Sequence, residues 1–298
     1  MAPTSRAYVD QPVTDLQAAH QVAAKAALEW DLEPPVLLRH GMNAIFLAGP
    51  AAIRVSTPNA DATSSLRLAS VLLSAGLQVT RPARDYVFEA DGMSATCWDR
   101  VERTDQPIDW REVGVMVRRI HQIDPGDLPD DYPLPSPVVF PWWDFDALLA
   151  ATASGLDEQA RSGIIAATGR HSGWSDFDHV VVCHGDVHPG NVIMSVEGPI
   201  LIDWDLMCLA PAGWDHAPMM TWAERWGGLP GEYENFAAGY GRSFRCDESA
   251  EAFAELRLVA ATLMRVKAGM TVDSAMSEAR RRLRYWRGDR DAPPWLAQ

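Results

Sequence analysis

Cysteine is scarce in this chain: Cys97, Cys183, Cys208 and Cys246 lie far apart, with no CxxC pair. That spacing offers neither a zinc ribbon nor the dense disulfide framework of a small secreted domain, and it fits a reducing, cytoplasmic setting. Long apolar runs are also missing. No stretch of about 18 apolar residues occurs, and the opening MAPTSRAYVDQPVTD lacks the apolar centre of a secretion signal, so neither a membrane partner nor export is expected. Positive charge is short as well, 26 Lys plus Arg against 40 Asp plus Glu, which leaves a formal charge of −14. A surface of that sign repels polyphosphate backbones, so nucleic acid is not an expected partner. The one basic run, Arg280 to Arg290, closes a helical pattern, where cations complement the helix dipole. Repeats and low-complexity tracts are absent. What is present is a globular composition, 298 residues with 47 % apolar side chains, enough for one large core or two modest ones.

Thr14-Asp15-Leu16-Gln17 matches a capping box, with Thr14 as the cap, and Leu16, Ala19, Val22, Ala23, Ala26, Ala27 and Trp30 then recur at helical spacing. Short extended segments follow at Val36 to Arg39, Ala44 to Ala48 and Ala51 to Ser56, punctuated by His40-Gly41-Met42-Asn43 and Gly49-Pro50. A helical pattern from Ala60 to Ala75 stops at Gly76, and Tyr86 to Ala90 with Met93 to Val101 flank the turn Asp91-Gly92. These segments predict a five-stranded antiparallel sheet with one inserted helix. From Trp110 the pattern turns helical: Trp110 to Ile123, Trp143 to Ser154, Asp157 to His171, Glu232 to Tyr240, Glu248 to Ala268 and Val272 to Arg287, with short strands at Asp178 to Cys183, Val192 to Met194 and Ile200 to Ile202. An α+β chain of two lobes is expected, residues 1–102 and 103–298, hinged near Arg103 to Pro107.

The most informative stretch is Val180 to Met194, in which an apolar strand delivers His184-Gly185-Asp186-Val187-His188-Pro189-Gly190-Asn191, followed by Ile202-Asp203-Trp204-Asp205. Gly185, Pro189 and Gly190 forbid a helix, so this is a loop. Asp186 and Asn191 stand five residues apart and Asp203 twelve further on, the intervals of a phosphoryl-transfer site. Such chemistry needs a carboxylate to take the proton of an attacking hydroxyl, and hard oxygen ligands for Mg²⁺. Any one of these residues alone would be read as a turn former; the joint pattern is hard to meet by chance. A zinc hydrolase built on His184, Asp186, His188 and Asp203 is the rival reading, although it leaves Asn191 and the N-terminal sheet without a role.

In these residues the chain resembles the aminoglycoside phosphotransferase family of small-molecule kinases, whose signature HGDxHxxN is followed by I-D-W-[DE]. Val113 to His121, Gly213-Trp214-Asp215 and Ala238 to Gly241 are similar to further landmarks of that family, so the resemblance spans roughly residues 36 to 290. It implies a two-lobed protein-kinase-like fold and a kinase that transfers phosphate from ATP or GTP, with Mg²⁺, to a small-molecule hydroxyl. Asp186 would then be the catalytic base, Asn191 and Asp203 the metal ligands, and Asp215 a brace for the loop. Gly41, Asn43 and Arg54 would face the nucleotide phosphates, and Trp98, Asp99 and Val101 the base. Arg54 stands where the resembling enzymes carry lysine. The helix that should supply its carboxylate partner offers Asp61, Ser64 and Ser65, which leaves the partner unnamed. His188, Asp205, Trp222 and Glu224 are the candidates for the acceptor side, with an amino sugar, an aminoglycoside or another amine-bearing alcohol as acceptor. Glycine at position 185, where regulated protein kinases commonly carry arginine, and the short gap from Asp203 to Gly213 imply a constitutively assembled site. A monomer or homodimer is expected. The alternative of a different class is a catalytically silent nucleotide-binding regulator, suggested by the replaced lysine and missing carboxylate.

Overall fold

The structure, a computed structural model, describes residues 7–8 and 11–297, so most of the opening stretch read for a secretion signal lies outside it. Helix α1 (Leu16–Glu29) starts one residue later than the capping box implies. Asp15, not Thr14, is the cap, its carboxylate accepting from Ala18 N. The strands β1 (Val36–His40), β2 (Ala44–Ala48) and β3 (Ala51–Ser56) then run antiparallel, and helix α2 (Thr63–Ser74) precedes β4 (Phe88–Ala90) and β5 (Met93–Asp99). The predicted five-stranded antiparallel sheet is present, in the order β1-β2-β3-β5-β4. Alternation along β3 sends Ala51, Ile53 and Val55 into the core under α1 and turns Arg54 to the opposite face.

The helical remainder comprises α3 (Trp110–Ile120), α4 (Phe145–Ala151) and α5 (Glu158–Arg170), then the short strands β6 (Val181–Cys183), β7 (Val192–Ser195), β8 (Gly198–Leu201) and β9 (Cys208–Ala210). Helices α6 (Gly213–Met220), α7 (Trp222–Arg225), α8 (Glu232–Tyr240), α9 (Glu248–Gly269) and α10 (Asp273–Trp286) complete it. Strand β6 pairs with β9, and β7 forms a hairpin with β8. This places the loop 184–191 between β6 and β7, and the acidic segment 202–207 between β8 and β9, side by side.

Strand β9 and helix α6 have no counterpart in the sequence pattern. Three apolar residues carry no period, and α6 is buried on every side and contains Pro218, so it shows no amphipathic face. Two apolar cores form: α1 packed on the sheet, and a larger one around Trp143, Trp214 and Phe253. Leu68 and Leu72 of α2 belong to the larger core, as does Tyr8, so these two pieces of the N-terminal third reach across the lobe boundary. All four cysteines are free thiols. Among the described residues no helix is long and apolar enough to cross a membrane.

Candidate active site

The loop from His184 to Asn191 is fixed through its backbone. Gly185 has φ +93, and a Cβ there would lie 1.9 Å from Leu206 O, so only glycine permits this approach to the neighbouring acidic segment. Asp215, fully buried on α6, accepts from His184 N and Gly185 N, both at 2.8 Å, and from the His121 ring at 3.1 Å. His121 in turn meets the Tyr240 hydroxyl at 2.9 Å. Burial alone would raise the Asp215 carboxyl, but His121 and the loop amides outweigh it and keep the group ionised.

His184 is buried within this frame, and burial pushes its pKa down, so the ring is neutral. Its Nε2 donates to Ile202 O at 3.1 Å and its Nδ1 accepts from Asp186 N at 3.3 Å. Both ring nitrogens are thereby spent on backbone groups, and the zinc site built on His184 is not favoured. The one His/Cys/Asp cluster of ligand-like spacing among the described residues, His121, Cys183 and Asp215, involves a carboxylate already committed to the loop.

Asp186 projects from this braced loop. Asn191 Nδ2 donates to its carbonyl at 2.9 Å and to its carboxylate at 3.1 Å, and Asn191 Oδ1 has no donor among the described residues. Burial would raise the Asp186 carboxyl, yet His188 at 3.3 Å and Arg257 at 3.4 Å hold it well below the usual carboxylate range. Arg257 also donates to Gly185 O and lies 4.8 Å above the Trp214 ring. No local pattern marks this residue: it is one arginine inside the long helix α9, and only packing carries its guanidinium to the loop. Asp203 sits in the left-handed region at φ 65, and the amide of Ile202 beside it donates to Asn191 O at 3.1 Å, zipping the two segments together. Its carboxylate makes no hydrogen bond or ion pair among the described residues. It is open to solvent on one side, but surrounding protein and the like charge of Asp205 raise it to about 7.

From the small lobe, Arg54 donates to Asp205, and Asn43 Nδ2 reaches the same carboxylate at 3.0 Å. Asp205 is thus the carboxylate partner that helix α2 does not supply. It was expected on the acceptor side, but its position across the lobes from Arg54 is fixed by strand pairing that local sequence cannot show. Burial alone would lower the Arg54 pKa; Asp205 and, more weakly, Tyr8 and Asp203 raise it instead. Gly41 stands open at the β1–β2 turn. Trp98 is half-buried and donates to Thr96. The Asp99 amide is taken by Arg81 O, whereas the amide of Val101 has no acceptor among the described residues.

On the other flank of Asp186, the rings of His188 and Trp222 stack at 5.6 Å, and Trp226 continues the stack at the same spacing. Glu224 is exposed on α7, and its charge reaches the Tyr285 hydroxyl. Asp186, Asn191, Asp203, His188 and Trp222 are therefore brought together, with Arg54, Asn43 and Asp205 beside them. Glu224, Trp98 and Asp99 lie in separate surroundings.

Residues 90–264 match the profile of the phosphotransferase enzyme family. The chain belongs to that family. It is thus an enzyme of the small-molecule kinase type with the protein-kinase-like fold. No curated protein matches the sequence significantly. Among solved structures, spectinomycin phosphotransferase in complex with ADP and spectinomycin superposes with a TM-score of 0.68 at 17 % identity, covering 91 % of this chain and 94 % of that one. An amicoumacin kinase in complex with AMP-PNP and Ca²⁺ gives 0.67 at 13 % identity, covering 94 % and 97 %. A choline/ethanolamine kinase family protein from Mesorhizobium loti gives 0.63 at 15 %, covering 93 % and 95 %. At these identities the likeness establishes the fold.

Proposed function

We propose that this phosphotransferase moves the γ-phosphoryl group of ATP or GTP to a hydroxyl of a small molecule, with Asp186 orienting that hydroxyl and accepting its proton. The observation that carries the reading is the meeting of Asp186, Asn191 and Asp203: Asn191 grips Asp186 through Nδ2, and among the described residues its side-chain oxygen and the Asp203 carboxylate beside them have no partner. Two uncommitted hard oxygens next to a carboxylate fit Mg²⁺, which binds oxygen and supplies charge neutralisation to phosphates when present. Asn191 and Asp203 would hold it.

The depressed pKa of Asp186 makes it a weak base, always ionised near neutrality. That suits phosphoryl transfer, in which the transition state is loose and alignment of the hydroxyl matters more than early proton removal. Arg257 and His188, against the same carboxylate, limit its swing. The nucleotide would lie between residues 1–102 and 103–298, its phosphates toward Arg54 and Asn43 and its base toward Val101. Solved relatives of the fold that hold ADP or AMP-PNP together with an antibiotic support this arrangement.

For the acceptor, Trp222 stacked on His188 offers a flat apolar wall beside the base, suited to the face of a sugar ring or to an amine-bearing alcohol. An aminoglycoside is one member of that class. The free thiols fit a cytoplasmic enzyme, working as a monomer or homodimer. The test is release of ADP or GDP with Mg²⁺ over a panel of aminoglycosides, amino sugars and amino alcohols. Release that depends on one added acceptor is expected; nucleotide binding with no acceptor-dependent release across the panel would return the silent-regulator reading.

A further inference from the structure

Helix α2, the element packed against the cleft from the small lobe, turns Ser64 and Ser65 inward and offers Arg54 no carboxylate. Tyr8 occupies that space. It is 1 % exposed, its carbonyl accepts from Asn59 N at 2.7 Å, and its hydroxyl faces Ala62 O at 3.4 Å on the first turn of α2. Its ring stacks on Tyr132 at 5.0 Å with an interplanar angle of 12°, and the Tyr132 hydroxyl donates to Trp204 O at 2.8 Å, between Asp203 and Asp205. The Arg54 guanidinium lies 5.7 Å from the centre of the Tyr8 ring while it donates to Asp205.

Resting on the reading of the site as a kinase cleft, we propose that Tyr8 and Asp205 are the positioning residues for Arg54: an aromatic face on one side and a carboxylate on the other, which together aim the cation at the nucleotide phosphates. The box accounts for the choice of arginine. A guanidinium is planar and weakly hydrated, so it stacks on a ring while its edge donates to a carboxylate and to a further anion. An ammonium is compact and strongly hydrated; it would give up the stacking contact and one of the two directed bonds. Arginine at 54, serines on α2 and a tyrosine ahead of α1 are then one arrangement, which makes Tyr8 part of the nucleotide site. A plain core role for Tyr8 predicts something different: its loss would destabilise the fold without regard to what stands at position 54.

The test is isothermal titration of the full chain with Mg²⁺ and a non-hydrolysable analogue of ATP and, separately, of GTP, using whichever the parent binds, alongside the unliganded melting temperature and circular dichroism of each variant. Arg54→Lys, although charge-conserving, should weaken the analogue about tenfold, since a desolvated cation–π contact and one charged hydrogen bond are lost. Tyr8→Leu, which keeps apolar bulk, should weaken it about fivefold, and Tyr8→Phe, which keeps the ring, should leave it within about twofold. In the Arg54→Lys background Tyr8→Leu should add almost nothing, and in steady state each change should raise the nucleotide KM while leaving the acceptor KM alone. Arg54→Lys binding as tightly as the parent, or additive effects of the two substitutions, would overturn the proposal. A parent protein that binds no nucleotide would instead sink the kinase-cleft reading itself.

Discussion

The loop from His184 to Asn191 and the Arg54 box lie side by side but are built in opposite ways. The loop is held by one contiguous frame within the large lobe. Asp215 takes two of its amides, His184 spends both ring nitrogens on backbone, and Gly185 lets the chain pass against Leu206. The Arg54 box is assembled from five separate stretches, with Tyr8, Asn43 and Arg54 on one side and Tyr132 and Asp205 on the other. A frame made of backbone bonds fixes geometry whatever the lobes do. A box that spans two regions depends on how they pack against each other, which, on the proposed function, is the half of the site that takes the nucleotide.

If the braced loop performs the chemistry, the largest effect belongs to its projecting carboxylate. Asp186→Ala should lower kcat by about 10³-fold or more while nucleotide binding stays within about twofold, because the lost group acts on the acceptor. Equal loss in both titration calorimetry and turnover would erase the contrast between the two regions.

Removal of the brace comes next. Asp215→Ala leaves two buried amides and His121 without their acceptor, and should cost about 3–5 kcal/mol in urea unfolding. A variant as stable as the parent would show that the frame is not what holds the loop.

A smaller effect is expected at the acceptor wall. Trp222→Ala should raise the acceptor KM about five- to tenfold with the nucleotide KM unchanged, since one stacking face is removed. A change confined to the nucleotide KM would move Trp222 to the other side of the cleft.

The smallest effect concerns pH. Asp203 has its carboxyl raised to about 7 in the folded protein, above the unfolded value of about 4, so the stability it confers is present below pH 4 and is lost as pH rises toward 7. Asp203→Asn should therefore stabilise the metal-free protein at pH 8, by under about 1 kcal/mol given the solvent on one side of the group. Asp186 and Asp215, depressed in the fold, behave oppositely: their contribution is full above pH 4 and fades as acid protonates them below it. A metal-free protein whose stability in thermal melts is untouched by Asp203→Asn at pH 8 would place that carboxylate in ordinary solvent.

How much of this was legible varies by element. The five-stranded sheet could be read because β2 and β3 carry their own alternation on either side of Gly49-Pro50, and Asp91-Gly92 marks the turn between β4 and β5. The loop could be read because its chemistry and its backbone constraints occupy eight consecutive residues. Arg257 could not, since an arginine on α9 looks the same whether it points to solvent or to Asp186; nor could α6, whose burial on all sides erases the periodicity by which helices are recognised.

The sequence by itself determined the strands, the long helices and the order Asp186, Asn191, Asp203, because each depends on neighbours a few residues away. Tertiary structure alone decided that Asp205 rather than an α2 residue meets Arg54, that Tyr8 covers it, and that Arg257 reaches Asp186. Those contacts join residues as far as 151 positions apart. Their existence follows from how strands pair and helices pack, and the local pattern of the chain carries no trace of it.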